Sequence, residues 1–364
     1  MTIHTVTAYL ATIAPPAYQE SYDNAGLITG DPMWEVKGVL VTLDCTEAVV
    51  EEAIAGGANL IVAHHPILFR GIKKLTGSNY VERTLIKAIQ HHIAIYAIHT
   101  NLDNVLEGVN HKIAERIGLV NTHILQPKTD TLSKLVTFVP REATERVLQA
   151  LHEAGAGQIG NYKNCSFRVS GEGAFMPGEG TNPHIGKPHQ LEIVDETRVE
   201  VIFPSWSATN VVDALRKAHP YEEVAHYITM LANENQEVGS GLIGELPEAQ
   251  EPMQFLRRLK DSMQLSVIRH TRVPAKKISK IAVCGGSGSF LLPRAIKAGA
   301  EVFISADFKY HEFFDADDRI VIADIGHYES EAHTKELLTE ILTKKFHTFA
   351  INFSKTVTNP ISYL

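Results

Sequence analysis

The 364-residue chain predicts a duplicated α/β body with mainly parallel sheets and an inserted ferredoxin-like βαββαβ domain. Three observations carry that expectation. β-branched apolar runs alternate with helix-patterned segments near both ends of the chain. The two ends match each other in order and spacing. A middle stretch breaks the pattern and returns to it through a polar segment.

In the first stretch "GVLVTLD" (38–44) has the residues of a strand. "CTEAVVEEAIAGGA" (45–58) follows with helical spacing, Thr46 as its N-cap and Gly56-Gly57 as its stop. "NLIVAHH" (59–65) is the next strand, "NYVERTLIKAIQHH" (79–92) a helix, and "IAIYAIHTNLD" (93–103) a strand running into polar residues. Strands alternating with helices argue for parallel pairing with both faces covered.

The last stretch repeats the plan. "KIAVCGGSGSFLLPRAIKAGAEVFISADF" (280–308) reads as strand, Gly-rich turn, helix and strand. "AIAGGANLIVAHH" (53–65) aligns with "AIKAGAEVFISAD" (295–307), and "HIAIYAIHT" (92–100) with "RIVIADIGH" (319–327). Three segments in the same order argue for an internal duplication.

Between them, "KLVTFVP" (134–140) is a strand and "REATERVLQALHEAGAG" (141–157) an amphipathic helix ending at glycine. "CSFRVSGEGAFMP" (165–177) and "HQLEIVDETRVEVIFP" (189–204) are strands around the loop "GEGTNPHIGKP" (178–188). "SATNVVDALRKAHP" (207–220) is a helix and "EEVAHYITM" (222–230) the last strand. That order is βαββαβ. "LANENQEVGSG" (231–241) reads as a polar linker back to the body. The expected division is therefore body 1–127, insert 128–232 and body 233–364.

Bulk properties narrow the function. A formal charge of −8 gives no basic field for non-specific nucleic-acid binding, so a nucleic-acid partner is not expected. The start "MTIHTVTAYLATIAPP" lacks the basic-then-apolar pattern of a signal peptide, and no apolar run is long enough to span a membrane. Cys45, Cys165 and Cys284 are few and far apart, which argues against a disulfide framework or a Cys-rich zinc site. A cytoplasmic location is expected.

Functional residues in open parallel sheets collect beyond the carboxyl ends of strands. His64 and His65 follow "LIVA", His99 and Asp103 follow "IAIYAI", Asp307 and His311 follow "VFISA", and His327 and Glu331 follow "IVIADI". His327 and Glu331 are four apart on a helix, which puts imidazole and carboxylate on one face. His64 and His65 would face opposite ways in a continuing strand, but the backbone turns before Pro66. Imidazole and carboxylate without thiolate suit zinc first, then manganese, iron or cobalt. Three histidines and two carboxylates exceed what one open site takes from protein. Two divalent ions about 3.5–4 Å apart fit better. The expected ligands are His64, His65, Asp103, His327 and Glu331. His99 is the candidate for proton transfer, with an orienting role as the alternative. Asp307 and His311 are candidates to support the ligands. His91, His92, His333 and His347 read as surface or packing residues.

Other signals are weaker. "GGSGSF" (285–290) could cradle an anion or simply make a tight turn. Asp23, Asn24 and Gly26 could form a turn lining the site or a plain surface turn. The 178–188 loop reads as a lid, a ligand loop or a hairpin tip. Cys284 has no adjacent base, so it is not expected to act as a nucleophile.

The stretches "SYDNAGLITGDP" (21–32), "IVAHHPILF" (61–69), "IHTNLDN" (98–104), "GGSGSF" and "DIGHYESE" (324–331) resemble the Nif-three-like family of metalloproteins, often labelled GTP cyclohydrolase type 2 homologues. The insert, with "HPYEEVAHY" (219–227), resembles the PII-like or CutA-like domain of the longer bacterial members. The resemblance implies a two-metal site on His64, His65, Asp103, His327 and Glu331, with Glu331 as the bridging carboxylate. It also implies a homohexameric ring with the sites facing an internal cavity. The expected function is a metal-dependent hydrolase that uses a metal-activated water on a small phosphorylated or nucleotide-like substrate. The rival is a non-catalytic, metal-stabilised scaffold or regulator whose insert binds a partner or small effector. GTP cyclohydrolase chemistry would further need a base-reading pocket, and no motif supplies one.

Overall fold

In the computed structural model, which describes residues 1–364, the strand-patterned runs pair into three sheets. Two belong to a body of residues Met1–Gln126 and Glu237–Leu364, and the third to an insert, Pro127–Gln236.

The first body sheet has the order Gly26–Thr29, Ala94–Ala97, Leu60–Ala63, Gly38–Thr42, Ala350–Phe353. All its ladders are parallel except that of Gly26–Thr29. The second has the order Arg269–His270, Val321–Asp324, Val302–Ala306, Ile278–Ser287, Asn235–Gln250, Val120–Lys128. Its three central strands run parallel.

These strands read as unbroken apolar runs because both faces are buried. The period of two sends Val39, Val41, Leu60, Val62, Ala94 and Tyr96 into a central core. Leu40, Ile61, Ala63 and Ile95 point the other way, into a core with residues of helices Glu47–Ala55 and Tyr80–Gln90. The second sheet does the same. Ile281, Val283, Val302, Ile304, Val321 and Ala323 enter the same central core, and Ala282, Phe303 and Ile322 an outer one. The shared core is completed by helices Ile3–Ile13, Val109–Ile117, Pro252–Ser262 and Thr334–Lys345. At about 1.5–3 kcal/mol per fully buried aliphatic side chain, that cluster dominates the association of the two sheets.

The caps follow the sequence. The Thr46 hydroxyl accepts the Val49 N–H, and Asn79 Oδ1 accepts the Glu82 N–H. Three segments and the assignment of two strands to sheets differ from expectation. "HTNLD" does not continue its strand. Asn101 Oδ1 accepts the His99 N–H at 2.9 Å, and Thr100–Asp103 forms a single helical turn. The 231–241 segment is no linker beyond Asn235, where a long strand begins; Val238 and Leu242 are buried, and Leu242 pairs with Val283. The Gly285-Gly286 pair lies inside strand Ile278–Ser287, where the register with the next strand shifts between Val283 and Ser287. The two stretches of the body also exchange strands. Val120–Lys128 joins the second sheet and Ala350–Phe353 the first. Open sheet edges attract whatever extended chain reaches them, whatever its sequence order.

The insert runs strand Leu132–Pro140, helix Thr144–Glu153, strands Phe167–Phe175 and Glu192–Pro204, helix Ala208–Ala218, strand His226–Leu231. Every ladder is antiparallel, and the spatial order is second, third, first, fourth. Leu135, Val139, Val199, Val201 and Phe203 pack under Val147, Leu151, Val211 and Leu215 of the helices. The chain leaves the body after Val120–Lys128 and returns in Asn235–Gln250, neighbouring strands of one sheet. Replacing residues 129–234 by a short Gly/Ser bridge should therefore leave a soluble body with the metal content of the full chain. Circular-dichroism melting and elemental analysis check this, and an aggregated or metal-free product would count against it. No helix is long and apolar enough to cross a membrane.

Candidate metal centre

Strand Leu60–Ala63 delivers the His64-His65 doublet. The parallel ladder extends two residues past the strand, with His64 N–H donating to Thr42 O and His65 N–H to Leu43 O. Pro66 then ends it. His64 is fully buried. Its Nδ1–H donates to Ile98 O at 2.9 Å, which turns Nε2 toward Asp103 Oδ1 at 3.6 Å and Glu331 Oε1 at 3.9 Å. His65 addresses the other oxygen of the same carboxylate. Its Nδ1–H donates to Asp44 Oδ1 at 2.8 Å, and Nε2 lies 2.9 Å from Glu331 Oε2. His327 opens helix His327–Glu331; Nδ1–H donates to Asp307 Oδ2 at 2.6 Å. Its Nε2 lies 3.2 Å from Glu331 Oε2 and 3.4 Å from His65 Nε2.

The five expected ligands thus come together, in two sets that meet at Glu331: His64 with Asp103, and His65 with His327. Each set gathers lone pairs. Every one of the three imidazoles commits its Nδ1 proton outward, so neutral rings present only Nε2 acceptors to carboxylate oxygens. His64 Nε2 and Asp103 Oδ1 are buried without any hydrogen-bond partner, and such orphaned acceptors are costly. A cation among them removes the conflict, so the donor set fits metal.

The protonation pattern tells the same story. Burial holds the His64 pKa below its ordinary value. Burial also opposes charge on His65 and His327, but carboxylate partners overcome it. Asp44 and Glu331 hold His65 up at about 10, and Glu331 and Asp307 hold His327 up at about 9. Burial and the nearby Glu331 charge push Asp103 well above the carboxylate range. Glu331 is buried too, yet its three imidazole neighbours keep it well below that range. Without metal, protons do part of the work of cations.

His99 joins His64 and His65. Its Nδ1–H donates to Asp23 Oδ1 at 2.8 Å, and Asp23 Oδ2 accepts the Thr100 N–H at 3.0 Å, leaving His99 Nε2 for the cavity. Burial would raise Asp23, but His99 and Thr100 hold it at about 2. Asp23 therefore supports the site rather than decorating the surface, whereas Gly26 begins a strand of the first sheet and Asn24 donates to Leu68 O. Asp307 supports His327, whereas His311 contacts the rings of Tyr310 and Phe314. Cys284 is buried, and burial pushes its thiol pKa up, away from thiolate. In "GGSGSF", Gly285 and Gly286 serve as close-packing room for Glu331, and Gly288 for Ser305 and Cys284. A Cβ on Gly286, whose φ is +60°, would sit 2.4 Å from Glu331 Oε1. Gly286→Ala should cost at least about 1–2 kcal/mol for the left-handed backbone alone. It should also displace the carboxylate, read as a lower melting temperature together with reduced metal content; unchanged metal content would show that Glu331 needs no such room.

Sequence reasoning missed Asp44. It ends "GVLVTLD", so the strand-end rule applied to every parallel strand would have found it. It also missed the C-terminal tail. The Thr358 hydroxyl donates to Asp44 Oδ2 at 2.7 Å, and Pro360 and Ile361 line the cavity above the site. Burial opposes charge on Asp44, but its His65 and Thr358 hydrogen bonds lower its pKa. Asp44→Asn should weaken metal binding about 10–100-fold, as loss of a ligand-orienting carboxylate commonly does. Competition with a metallochromic chelator measures it; wild-type affinity in the variant would remove Asp44 from the site.

A cavity of about 450 Å³ opens over the centre. Tyr22, Phe69, Phe290 and Tyr328 form part of its wall, with Glu20 and Asp44 but no lysine or arginine.

Fold and site together define a mixed α/β protein with a histidine–carboxylate centre able to hold metal. The chain belongs to the Duf34/NIF3 (NGG1p interacting factor 3) family, which it matches over residues 1–360. It is 39% identical over 356 residues, 96% of each chain, to a Halalkalibacterium halodurans protein named GTP cyclohydrolase 1 type 2 homolog. A Bacillus subtilis protein of the same name is 38% identical over 357 residues, 96% of this chain and 95% of that one. The crystal structure of a Bacillus cereus protein related to NIF3 superposes with a TM-score of 0.88 at 36% identity, covering 100% of this chain and 99% of that one. The motifs that indicated this family lie in both stretches of the body.

Proposed function

We propose that the protein holds two divalent metal ions and works as a metal-dependent hydrolase on a small phosphorylated or nucleotide-like substrate. The observation that carries this reading is the convergence of acceptor atoms, two of them buried and unpartnered, on both oxygens of Glu331. His64 and Asp103 would hold one ion, His65 and His327 the other, and Glu331 would bridge them. Zinc suits the nitrogen and carboxylate donors best. Two ions so placed would lower the pKa of water and stabilise a developing oxyanion.

The chain's own residues do the rest. Asp44, Asp307 and the Ile98 carbonyl orient the ligand imidazoles. His99, fixed by Asp23, presents Nε2 as the group that accepts and returns a proton. The aromatic wall offers flat apolar surface. With no lysine or arginine lining the cavity, recognition of an anionic group falls to the metals. That favours a substrate with one phosphate beside the centre over a triphosphate.

The finer reading of the fold belongs to the same proposal. Three neighbouring parallel strands with interposed helices occur once in each body sheet, which supports a duplicated body. The strand order of the insert supports a ferredoxin-like, PII- or CutA-like module.

The test is to load purified protein with zinc, manganese, iron or cobalt and screen phosphomonoesters and nucleotides for turnover. Metal-dependent turnover lost in His65→Ala and Glu331→Ala is the expected result. Tight metal binding with no turnover across the panel would overturn the hydrolase reading in favour of a scaffold.

A further inference from the structure

We propose that the insert carries a binding site for a small organic cation, a protonated amine or quaternary ammonium, built entirely from its own residues. The site is a cavity of about 600 Å³, within the ordinary size of small-molecule pockets. Four rings line it. Phe138 meets Tyr227 edge-on at a centroid distance of 5.9 Å, and Phe175 meets Tyr221 at 5.6 Å. Acidic residues line it as well: Glu196, Glu222 and Glu223. The one guanidinium in the lining, Arg198, is already paired with Glu200 at 2.8 Å. Aromatic faces carry negative electrostatic potential and attract cations. Uncompensated carboxylates beside them add the same preference and repel anions.

The cavity is built in advance. Buried His219 accepts the Tyr221 N–H on Nδ1 at 3.1 Å and donates from Nε2 to Phe138 O at 2.9 Å. One imidazole thereby ties the backbones of two of the four ring residues. The Asn182 N–H donates to Glu222 Oε1 at 3.0 Å, pinning the 178–188 loop at the cavity. Gly173 leaves the room Glu196 needs, since a Cβ there would lie 2.1 Å from Glu196 Oε2. Tyr221 Oη, buried beside Glu196, makes no hydrogen bond of proper geometry. These residues explain the "HPYEEVAHY" motif, to which the metal centre assigns no role.

The experiment uses the full chain with EDTA present, so that amines cannot bind through metal. Calorimetric titration with choline and with spermidine should show saturable binding of at least one. For a cation that binds through aromatic faces, choline should exceed its neutral isostere 3,3-dimethylbutan-1-ol by about tenfold or more. Glu196→Gln and Tyr221→Leu should each weaken binding about tenfold, and Tyr221→Phe should retain it. Glu196→Gln is nearly isosteric and carries the test if Tyr221→Leu fails to fold. Failure of both cations to bind, equal binding of choline and its neutral isostere, or full binding in Glu196→Gln would each overturn the proposal.

Discussion

Alanine at Glu331 is expected to empty the metal centre completely, whereas alanine at Asp103 is expected to remove only one ion. Glu331 is the one residue common to both ligand sets. Oε1 faces His64 Nε2 at 3.9 Å, and Oε2 faces His65 and His327 at 2.9 and 3.2 Å. Two divalent cations about 3.5–4 Å apart repel strongly in a buried site unless a shared anion lies between them. In the proposed two-ion centre, removing Glu331 would withdraw a ligand from each ion and the charge that would let them coexist. Asp103 serves only the His64 side. After reconstitution, elemental analysis should find about two ions per chain in the wild type, about one in Asp103→Ala and nearly none in Glu331→Ala. One tightly held ion surviving in Glu331→Ala would show that this carboxylate does not bridge.

Metal should stabilise the body more as pH rises from 6 toward 9. In the metal-free protein, His65 and His327 are held up at about 10 and about 9. Both lie above the ordinary histidine value of about 6.5. Their protonated pairing with Asp44, Asp307 and Glu331 therefore contributes its full stability below about pH 6.5, and that contribution is lost as pH rises through 9 to 10. Metal needs the neutral rings and competes with those protons. Binding near pH 7 should release protons from His65 and His327, detected as a dependence of the calorimetric heat on buffer ionisation enthalpy. At a hundredfold excess over Kd, ligation adds about 2.7 kcal/mol per site. The gap between loaded and metal-free melting temperatures should accordingly widen with pH. A gap independent of pH and buffer would mean that the metal binds elsewhere than on these two imidazoles.

Much of the architecture was legible because its signals are local. A strand buried on both faces must be apolar at every position, and "NLIVAHH" and "KIAVC" show that directly. Thr46 and Asn79 mark helix starts because a side-chain oxygen caps the backbone within one turn. Where the reading failed, the deciding partner was distant. Polar residues 235–241 read as a linker because their pairing is with strands far away in sequence. The helical turn at Thr100–Asp103 is assisted by Asn101, and asparagine is as common in loops as in such turns.

The site divides along the same line. His64, His65, Asp103, His327 and Glu331 could be named from the sequence because strand ends and an i,i+4 pair are countable in one dimension. So could the family, whose motifs are contiguous. Tertiary structure alone decided that His64 and His65 face different oxygens of one carboxylate 266 residues from His65. It alone recruited Asp44, Asp23 and Thr358, and it alone demanded a glycine at 286 so that Glu331 could close in. The physical reason is the range of the forces involved. Periodicity and capping act over a few residues, whereas the pairing of a lone buried acceptor depends on which side chains the packed core brings within about 4 Å, and no linear pattern records that.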